Sequence, residues 1–240
     1  MRKVTNYNTI LPVMRMSPAP VFLFDLDGTL VDTAPDLLAT INTLLAREGR
    51  SHVDAAQLRR LVGRGSRNLI TDAFKATGEP VTLERIESLY ADFLADYGSH
   101  IARASRPYPD VITTLAALKG EGVRMGVLTN KPHTNALLLL ADLGMDGLFG
   151  TICGQGKYPW LKPDPRLFAA VLAELGGAEG GIVMVGDSIT DVETARGGGA
   201  PVILMSYGYT PEPAETLGAD LVLDDFADVP TAGRRLLGIS

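Results

Sequence analysis

Three short runs of consecutive apolar residues each end in a polar cluster. Val21-Phe22-Leu23-Phe24 runs into Asp25-Leu26-Asp27-Gly28-Thr29, the run from Val123 to Leu128 into Thr129-Asn130-Lys131, and Gly181-Ile182-Val183-Met184-Val185 into Gly186-Asp187-Ser188. Residues that do not alternate with polar neighbours belong to strands buried on both faces, which is the signature of a parallel sheet covered by helices. Pro201 to Met205 and Leu221 to Leu223 read as further strands. Helical patterns at 109–119, 132–143, 165–175 and 190–196 lie between them, one opening with Asp164 as N-cap and Pro165 at the first helical position. In an open parallel sheet, ligands bind outside the carboxyl ends of the strands. Three strands ending in polar side chains therefore point to one shared site.

Residues 35–107 break this rhythm. They contain four helix-like stretches, at 35–47, 54–61, 66–77 and 82–101, and no convincing strand. The segment carries 10 Lys+Arg and 9 Asp+Glu in a chain whose net charge is −6 at pH 7, so the acidic excess lies elsewhere. The expected architecture is an α/β fold: a three-layer Rossmann-like parallel-sheet core, residues 21–34 and 108–240, with an inserted all-helical cap, residues 35–107. The first 20 residues read as a flexible extension, with Met14 and Met16 as alternative starts, because Pro12 interrupts their apolar stretch and a secretory signal needs an unbroken one. The acidic balance argues against nucleic acid as a partner. No apolar run is long enough for a membrane-spanning helix. One cysteine, Cys153, cannot form an internal disulfide or a thiolate zinc site, and a cytoplasmic location is expected.

The strand ends concentrate carboxylates. Asp25 and Asp27 are two residues apart, so in extended backbone both side chains leave on one side. At about 4 Å two such charges repel by about 4 kcal/mol at an effective dielectric of 20, which only a cation or a shared proton relieves. Asp187 adds a third carboxylate and Asp191, one turn on, a fourth. Hard oxygen ligands without Cys or clustered His select Mg²⁺ over zinc.

At these residues the chain resembles the haloacid dehalogenase superfamily, whose members mostly transfer phosphoryl groups through an aspartyl-phosphate. Four motifs carry the resemblance: Phe24-Asp25-Leu26-Asp27-Gly28-Thr29-Leu30-Val31-Asp32, Thr129 in Leu128-Thr129-Asn130-Lys131-Pro132, Lys162 in Leu161-Lys162-Pro163-Asp164-Pro165, and Gly186-Asp187-Ser188-Ile189-Thr190-Asp191. It implies that Asp25 is the nucleophile and that Asp27 is the acid and then the base, while the backbone carbonyl of Asp27 ligates metal. Thr129, the backbone N–H of Asn130 and Lys162 would hold phosphoryl oxygens. Asp25, Asp27 and Asp187 would hold Mg²⁺, with Asp191 and Ser188 supporting them. Lys131 could pair with Asp191 or lie in solvent, and both readings stay open at this stage.

The cap is expected to choose the leaving group. Val62-Gly63-Arg64-Gly65-Ser66-Arg67 lies between two helical stretches; its glycine-flanked amides at Gly63 and Gly65, together with Arg64, suit a carboxylate, which a guanidinium binds through two parallel hydrogen bonds. With the Thr129–Pro132 motif, this loop resembles the phosphoglycolate phosphatase branch of the superfamily, implying hydrolysis of 2-phosphoglycolate to glycolate and phosphate. The alternatives are a phosphatase for a sugar phosphate or pyrophosphate and a β-phosphoglucomutase-like mutase; a non-catalytic ligand-binding module would be expected to have lost Asp25 or Asp27. The expected partner is a small phosphorylated metabolite, with the protein a monomer or homodimer.

Overall fold

A computed structural model of the chain describes residues 18–239; the first 17 residues of the expected extension lie outside the described residues. In chain order come β1 (Val21–Phe24), β2 (Val31–Asp32), α1 (Ala34–Arg47), α2 (Ala55–Arg59), α3 (Ser66–Ala76), α4 (Leu83–Gly98) and β3 (Arg106–Pro107). They are followed by α5 (Val111–Gly120), β4 (Arg124–Pro132), α6 (His133–Asp142), β5 (Thr151–Gln155), α7 (Pro165–Glu174), β6 (Ile182–Gly186), α8 (Ile189–Gly197), β7 (Val202–Met205), β8 (Leu221–Leu223) and α9 (Val229–Leu237).

Among the described residues, one six-stranded sheet runs β5-β4-β1-β6-β7-β8, every neighbouring pair parallel. All four side chains of β1 are buried, and successive ones enter different cores. Phe22 and Phe24 join the cluster that includes Val111 and Leu115 of α5, Leu139 of α6 and Val229 of α9. Val21 and Leu23 join Leu167, Phe168 and Val171 of α7 and Val192 and Ala195 of α8. The period-two alternation of a strand thus supplies both layers at once. From β1 the chain builds outward through β4 and β5, then returns to the other side of β1 for β6. That reversal opens a crevice at the carboxyl end of β1, where Asp25 stands.

The helical segment is entered and left through a two-stranded antiparallel ribbon, Val31 opposite Pro107 and Asp32 opposite Arg106. Buried Asp36, in the first turn of α1, accepts hydrogen bonds from the backbone N–H groups of Ala104 (3.0 Å) and Ser105 (2.7 Å) and from Ser105 Oγ (2.7 Å). One carboxylate therefore ties the outgoing crossing to the incoming one. The extension is anchored at its end: Ala19 O accepts from the Arg124 guanidinium (2.8 Å) and Pro20 O from Arg124 N (3.0 Å).

Five elements differ from the sequence reading, among them the short strands β2 and β3, the latter inside the segment expected to hold no strand. Strand β4 does not stop at Leu128 but continues to Pro132, carrying Thr129, Asn130 and Lys131 within it. Its register against β5 jumps, Leu128 facing Cys153 and Pro132 facing Gln155, which is a bulge of the kind that re-aims side chains beside sites. Gly154 lies inside the bulge; a Cβ there would sit 2.6 Å from the Lys131 carbonyl oxygen, so only glycine admits this approach. Edge strand β5 and helix α9 were absent from the reading, because Thr151-Ile152-Cys153-Gly154-Gln155 is short and half polar and α9 is interrupted by Gly233.

The edge strand is tied down by Glu174, the last residue of α7, whose carboxylate takes Thr151 Oγ1, Lys157 Nζ (2.6 Å) and Tyr158 OH (2.5 Å). Burial alone would raise its pKa, but Lys157, Thr151 and Tyr158 outweigh it and hold the carboxyl down at about 2. A carboxyl depressed in the folded state stabilises it above the unfolded value near 4.5, and that contribution is lost as pH falls toward 2. Because the group is partly open to solvent, Glu174→Gln should cost only about 1 kcal/mol at pH 7. Urea unfolding at pH 7 and pH 3 should show the gap to wild type narrowing in acid; a gap undiminished at pH 3 would contradict the account.

Candidate active site

Each polar cluster sits at the carboxyl end of its strand, around Asp25. The Asp25 N–H continues the sheet by donating to Val185 O (2.9 Å). Immediately afterwards Leu26–Val31 close a tight turn in which the Leu30 and Val31 N–H groups both donate to Leu26 O (3.0 Å each). Gly28 has φ +86°, and a Cβ on it would lie 2.5 Å from Asp187 Oδ2, so glycine is required both for the turn and for the approach to β6.

Three buried carboxylates, Asp25, Asp187 and Asp191, each offer an oxygen within 4.8 Å of the others. The Lys162 ammonium, itself buried, lies 2.7 Å from Asp191 Oδ1 and 2.9 Å from Asp25 Oδ1. Asp191, at the third residue of α8, uses its other oxygen to accept from Asp187 N (3.1 Å), Ser188 N (3.1 Å) and Ser188 Oγ (2.7 Å), a capping box that fixes the β6–α8 turn. Asp187 accepts from Thr29 Oγ1 (3.0 Å) and Tyr209 N (2.8 Å). Burial, and then Asp191 and Asp25, push its pKa well above the ordinary carboxylate range. Burial also raises Asp25, against Lys162, to about 6. For Lys162 burial works against the charge, but Asp191 and Asp25 outweigh it and hold the pKa above the lysine range.

Asp27 is not one of the three converging carboxylates, although its charge still adds to the upward push on Asp25. Its carboxylate turns away to Thr33 Oγ1 (2.8 Å) and Lys131 Nζ (2.9 Å to Oδ1, 3.3 Å to Oδ2). Lys131 in turn donates to Tyr97 OH (2.7 Å), on the buried face of α4. Neither reading of Lys131 holds: it is buried rather than solvated, and it meets Asp27 because Lys162 already occupies Asp191. Burial opposes its charge, but Asp27 and Tyr97 keep its pKa raised.

Thr129 and Asn130 are buried beside Asp25. The Asn130 side chain does something the sequence did not suggest. Its Oδ1 accepts from Lys162 N (2.9 Å) and its Nδ2 donates to Lys162 O (3.2 Å), so the bulge of β4 positions the lysine. Gly63 and Gly65 line a narrow inner cavity of about 30 Å³ with Ser66, Asp25, Asp27, Thr129 and Lys131. A wider cavity of about 310 Å³ on the other side of Asp27 is lined by Asp187, Ser188, Tyr209, Arg60 and Arg64. The Arg64 guanidinium is not turned into either role expected of it; it is exposed and paired with Asp72 at 2.7 Å. Tyr209 and Thr29, both on Asp187, were missed. The rule that sites collect at strand ends would have pointed to Tyr209, which follows β7.

The arrangement matches a known family. A family model described as haloacid dehalogenase-like hydrolase covers residues 22–205. The chain belongs to the haloacid dehalogenase-like hydrolases. Among members of that family, the phosphoglycolate phosphatase of Caulobacter vibrioides is 44% identical over 214 residues, 89% of this chain and 90% of the relative. That of Rhodospirillum rubrum is 40% identical over 211 residues, 86% and 88% of the two chains. A crystal structure from Haemophilus somnus, described as a predicted phosphoglycolate phosphatase, superposes with a TM-score of 0.83 at 32% identity over 89% of this chain and 97% of the other.

A divalent metal suits this site on its own chemistry. Three buried carboxylates share one ammonium, and Asp25 Oδ1, though close to Lys162, has no aligned hydrogen bond. Asp191 is fully engaged by protein donors, which leaves Asp25 and Asp187 as the carboxylates able to ligate. A cation binding only the folded state at a hundredfold excess over Kd stabilises by about 2.7 kcal/mol. Thermal melts should therefore rise on adding a divalent cation and fall back with chelator. Asp187→Asn should melt higher than wild type in chelator, having one buried charge fewer, and should lose the cation-dependent increment. An undiminished increment in that variant would place the metal elsewhere.

Proposed function

We propose that this protein is a Mg²⁺-dependent phosphomonoester hydrolase acting in the cytoplasm, with 2-phosphoglycolate as its substrate and Asp25 as its nucleophile. The observation that carries the reading is that the two strand-end aspartates have different partners around one cavity. Asp25 lies with Lys162 and Asp187, the Asp27 carboxylate is held by Thr33 and Lys131, and both line the narrow inner cavity. In this reading Asp25 meets the phosphoryl group and Asp27 its leaving oxygen.

In the first step an Asp25 carboxylate oxygen attacks phosphorus, the bond from phosphorus to the bridging oxygen breaks, and Asp27 gives that oxygen its proton. In the second, Asp27 takes a proton from water, the water oxygen attacks the phosphorus of the aspartyl-phosphate, and the bond to Asp25 breaks. Inorganic phosphate leaves and both aspartates return to their starting states. Lys162, the Thr129 hydroxyl and the Asn130 N–H are placed to hydrogen-bond the non-bridging oxygens as charge redistributes on them. Asp25, Asp187 and the backbone carbonyl of Asp27 would hold the cation, which when bound neutralises phosphoryl charge; the all-oxygen donor set suits Mg²⁺.

Relatives support the substrate. Relatives at 44% and 40% identity carry the name phosphoglycolate phosphatase. Phosphate release from a panel of 2-phosphoglycolate, glucose 6-phosphate and pyrophosphate should favour 2-phosphoglycolate in kcat/KM and require Mg²⁺. Asp25→Asn should lower kcat by on the order of 10⁴–10⁶, as removal of a nucleophile does. A preference for the sugar phosphate would overturn the substrate, and a tenth of wild-type rate in Asp25→Asn would overturn the nucleophile.

A further inference from the structure

The site holds two buried ammonium groups, and the phosphoryl-transfer steps above use only Lys162. We propose that Lys131 is the specificity-determining residue that receives the substrate's carboxylate in the inner cavity. The inference rests on the reading of the substrate as 2-phosphoglycolate and names the residue that distinguishes it from other small monoesters.

Four observations converge on it. First, among the described residues Lys131 is the one lysine or arginine lining the inner cavity; Arg60 and Arg64 line the outer one, and the Arg64 guanidinium is already paired with Asp72. Second, its ammonium lies 2.9 Å from Oδ1 of Asp27, the residue that serves the leaving group in the steps above. In 2-phosphoglycolate the carboxylate carbon is two bonds from the bridging oxygen, so a group held beside Asp27 also reaches that carboxylate. Third, the ammonium is held in place. Asp27 and Tyr97 OH fix it from two sides, and the bulge of β4 sets the backbone beneath it. Of its three N–H donors, the one toward Asp27 Oδ2 makes the longest contact, 3.3 Å against 2.9 Å and 2.7 Å for the others, and is the one a substrate carboxylate would take over. Fourth, the wall opposite is the start of α3, where Gly65 and buried Ser66 line the same cavity. The first N–H groups of a helix have no partner within it and favour negative charge. Leu37, Val62 and Leu69 give the cavity an apolar cap side for the substrate's methylene, and Asp25, at the other wall with Thr129 and Asn130, is where its phosphoryl group would meet the nucleophile.

A substrate without a carboxylate leaves Lys131 paired with Asp27 and draws nothing from it. The test compares 2-phosphoglycolate with ethyl phosphate, which has the same chain length and no carboxylate, in full-length wild type and Lys131→Met. Both rates should fall, since Lys131 also holds Asp27, but the ratio of kcat/KM for 2-phosphoglycolate over ethyl phosphate should drop by roughly 10–100-fold, the loss of one hydrogen bond to a charged group. Inhibition of ethyl phosphate turnover by glycolate should weaken by a similar factor, while inhibition by inorganic phosphate changes much less. If Lys131→Met does not fold, Lys131→Gln, which keeps a donor at similar length, carries the same comparison and should retain part of the ratio. A wild-type preference that survives unchanged in both variants would overturn the assignment and leave the substrate standing. The absence of any wild-type preference for 2-phosphoglycolate over ethyl phosphate would overturn the substrate as well.

Discussion

The contact of the Lys162 ammonium with both Asp25 and Asp191 is the interaction on which the carboxyl end of the sheet depends. Opposite charges at about 3 Å attract by about 5 kcal/mol at an effective dielectric of 20, an attraction that must offset the cost of taking these groups from water. Without the lysine, three carboxylates would face one another in a space closed to solvent. The strands that bring them there come from distant parts of the chain, and each is buried on both faces, so the sheet cannot spread to relieve the repulsion. The remaining charge is what makes the place reactive: burial and neighbouring carboxylates raise both Asp25 and Asp187. Lys162 is itself held through its backbone by Asn130, so the bulge of β4 serves the charge balance as well as the lining of the cavity.

A second set of contacts links this centre to the helical segment through one side chain. The Tyr209 backbone donates to Asp187 (2.8 Å), and its hydroxyl accepts from Thr33 N (2.6 Å) and Ala34 N (2.9 Å) while donating to Asp32 Oδ1 (2.7 Å). Asp32 also takes Arg59 of α2 at 3.2 Å, and that guanidinium lies over the Tyr209 ring, 5.0 Å from its centroid. On the opposite side Tyr97 of α4 reaches Lys131 and so Asp27. Two helices of the insertion thus reach two aspartates of the site, α2 reaching Asp187 through Asp32 and Tyr209, and α4 reaching Asp27 through Lys131. A displacement of those helices must alter contacts at both.

Much of this was legible in the chain because buried parallel strands carry no polar residues until they end. The run Val21–Phe24 followed by Asp25 and Asp27 marks the strand and its reactive end together, and the same holds at Asp187, whereas β4 carries Thr129, Asn130 and Lys131 inside its last residues. The N-cap at Asp164 was also plain, since its side chain and Pro165 act locally. Partners across the fold were not. Spacing alone put Asp25 and Asp27 side by side, yet the turn stabilised by Gly28 and the availability of Lys131 separate them. Arg64 carried the right chemistry, but Asp72, two helical turns along the sequence, is close enough to hold it. Strand β5 was hidden because an edge strand needs no continuous apolar run, and Tyr209 because a tyrosine's role depends on what the sheet brings beside it.

The central claim is that phosphorus passes through a covalent bond to Asp25 on its way to water. The most direct test is the stereochemical course at phosphorus, using a monoester made chiral with oxygen isotopes and thio substitution and turned over in isotopically labelled water. Two successive in-line displacements, first by Asp25 and then by water, invert the centre twice, so the account requires net retention of configuration. Net inversion would mean that water attacks the substrate directly, and that Asp25 serves the site as a ligand alone.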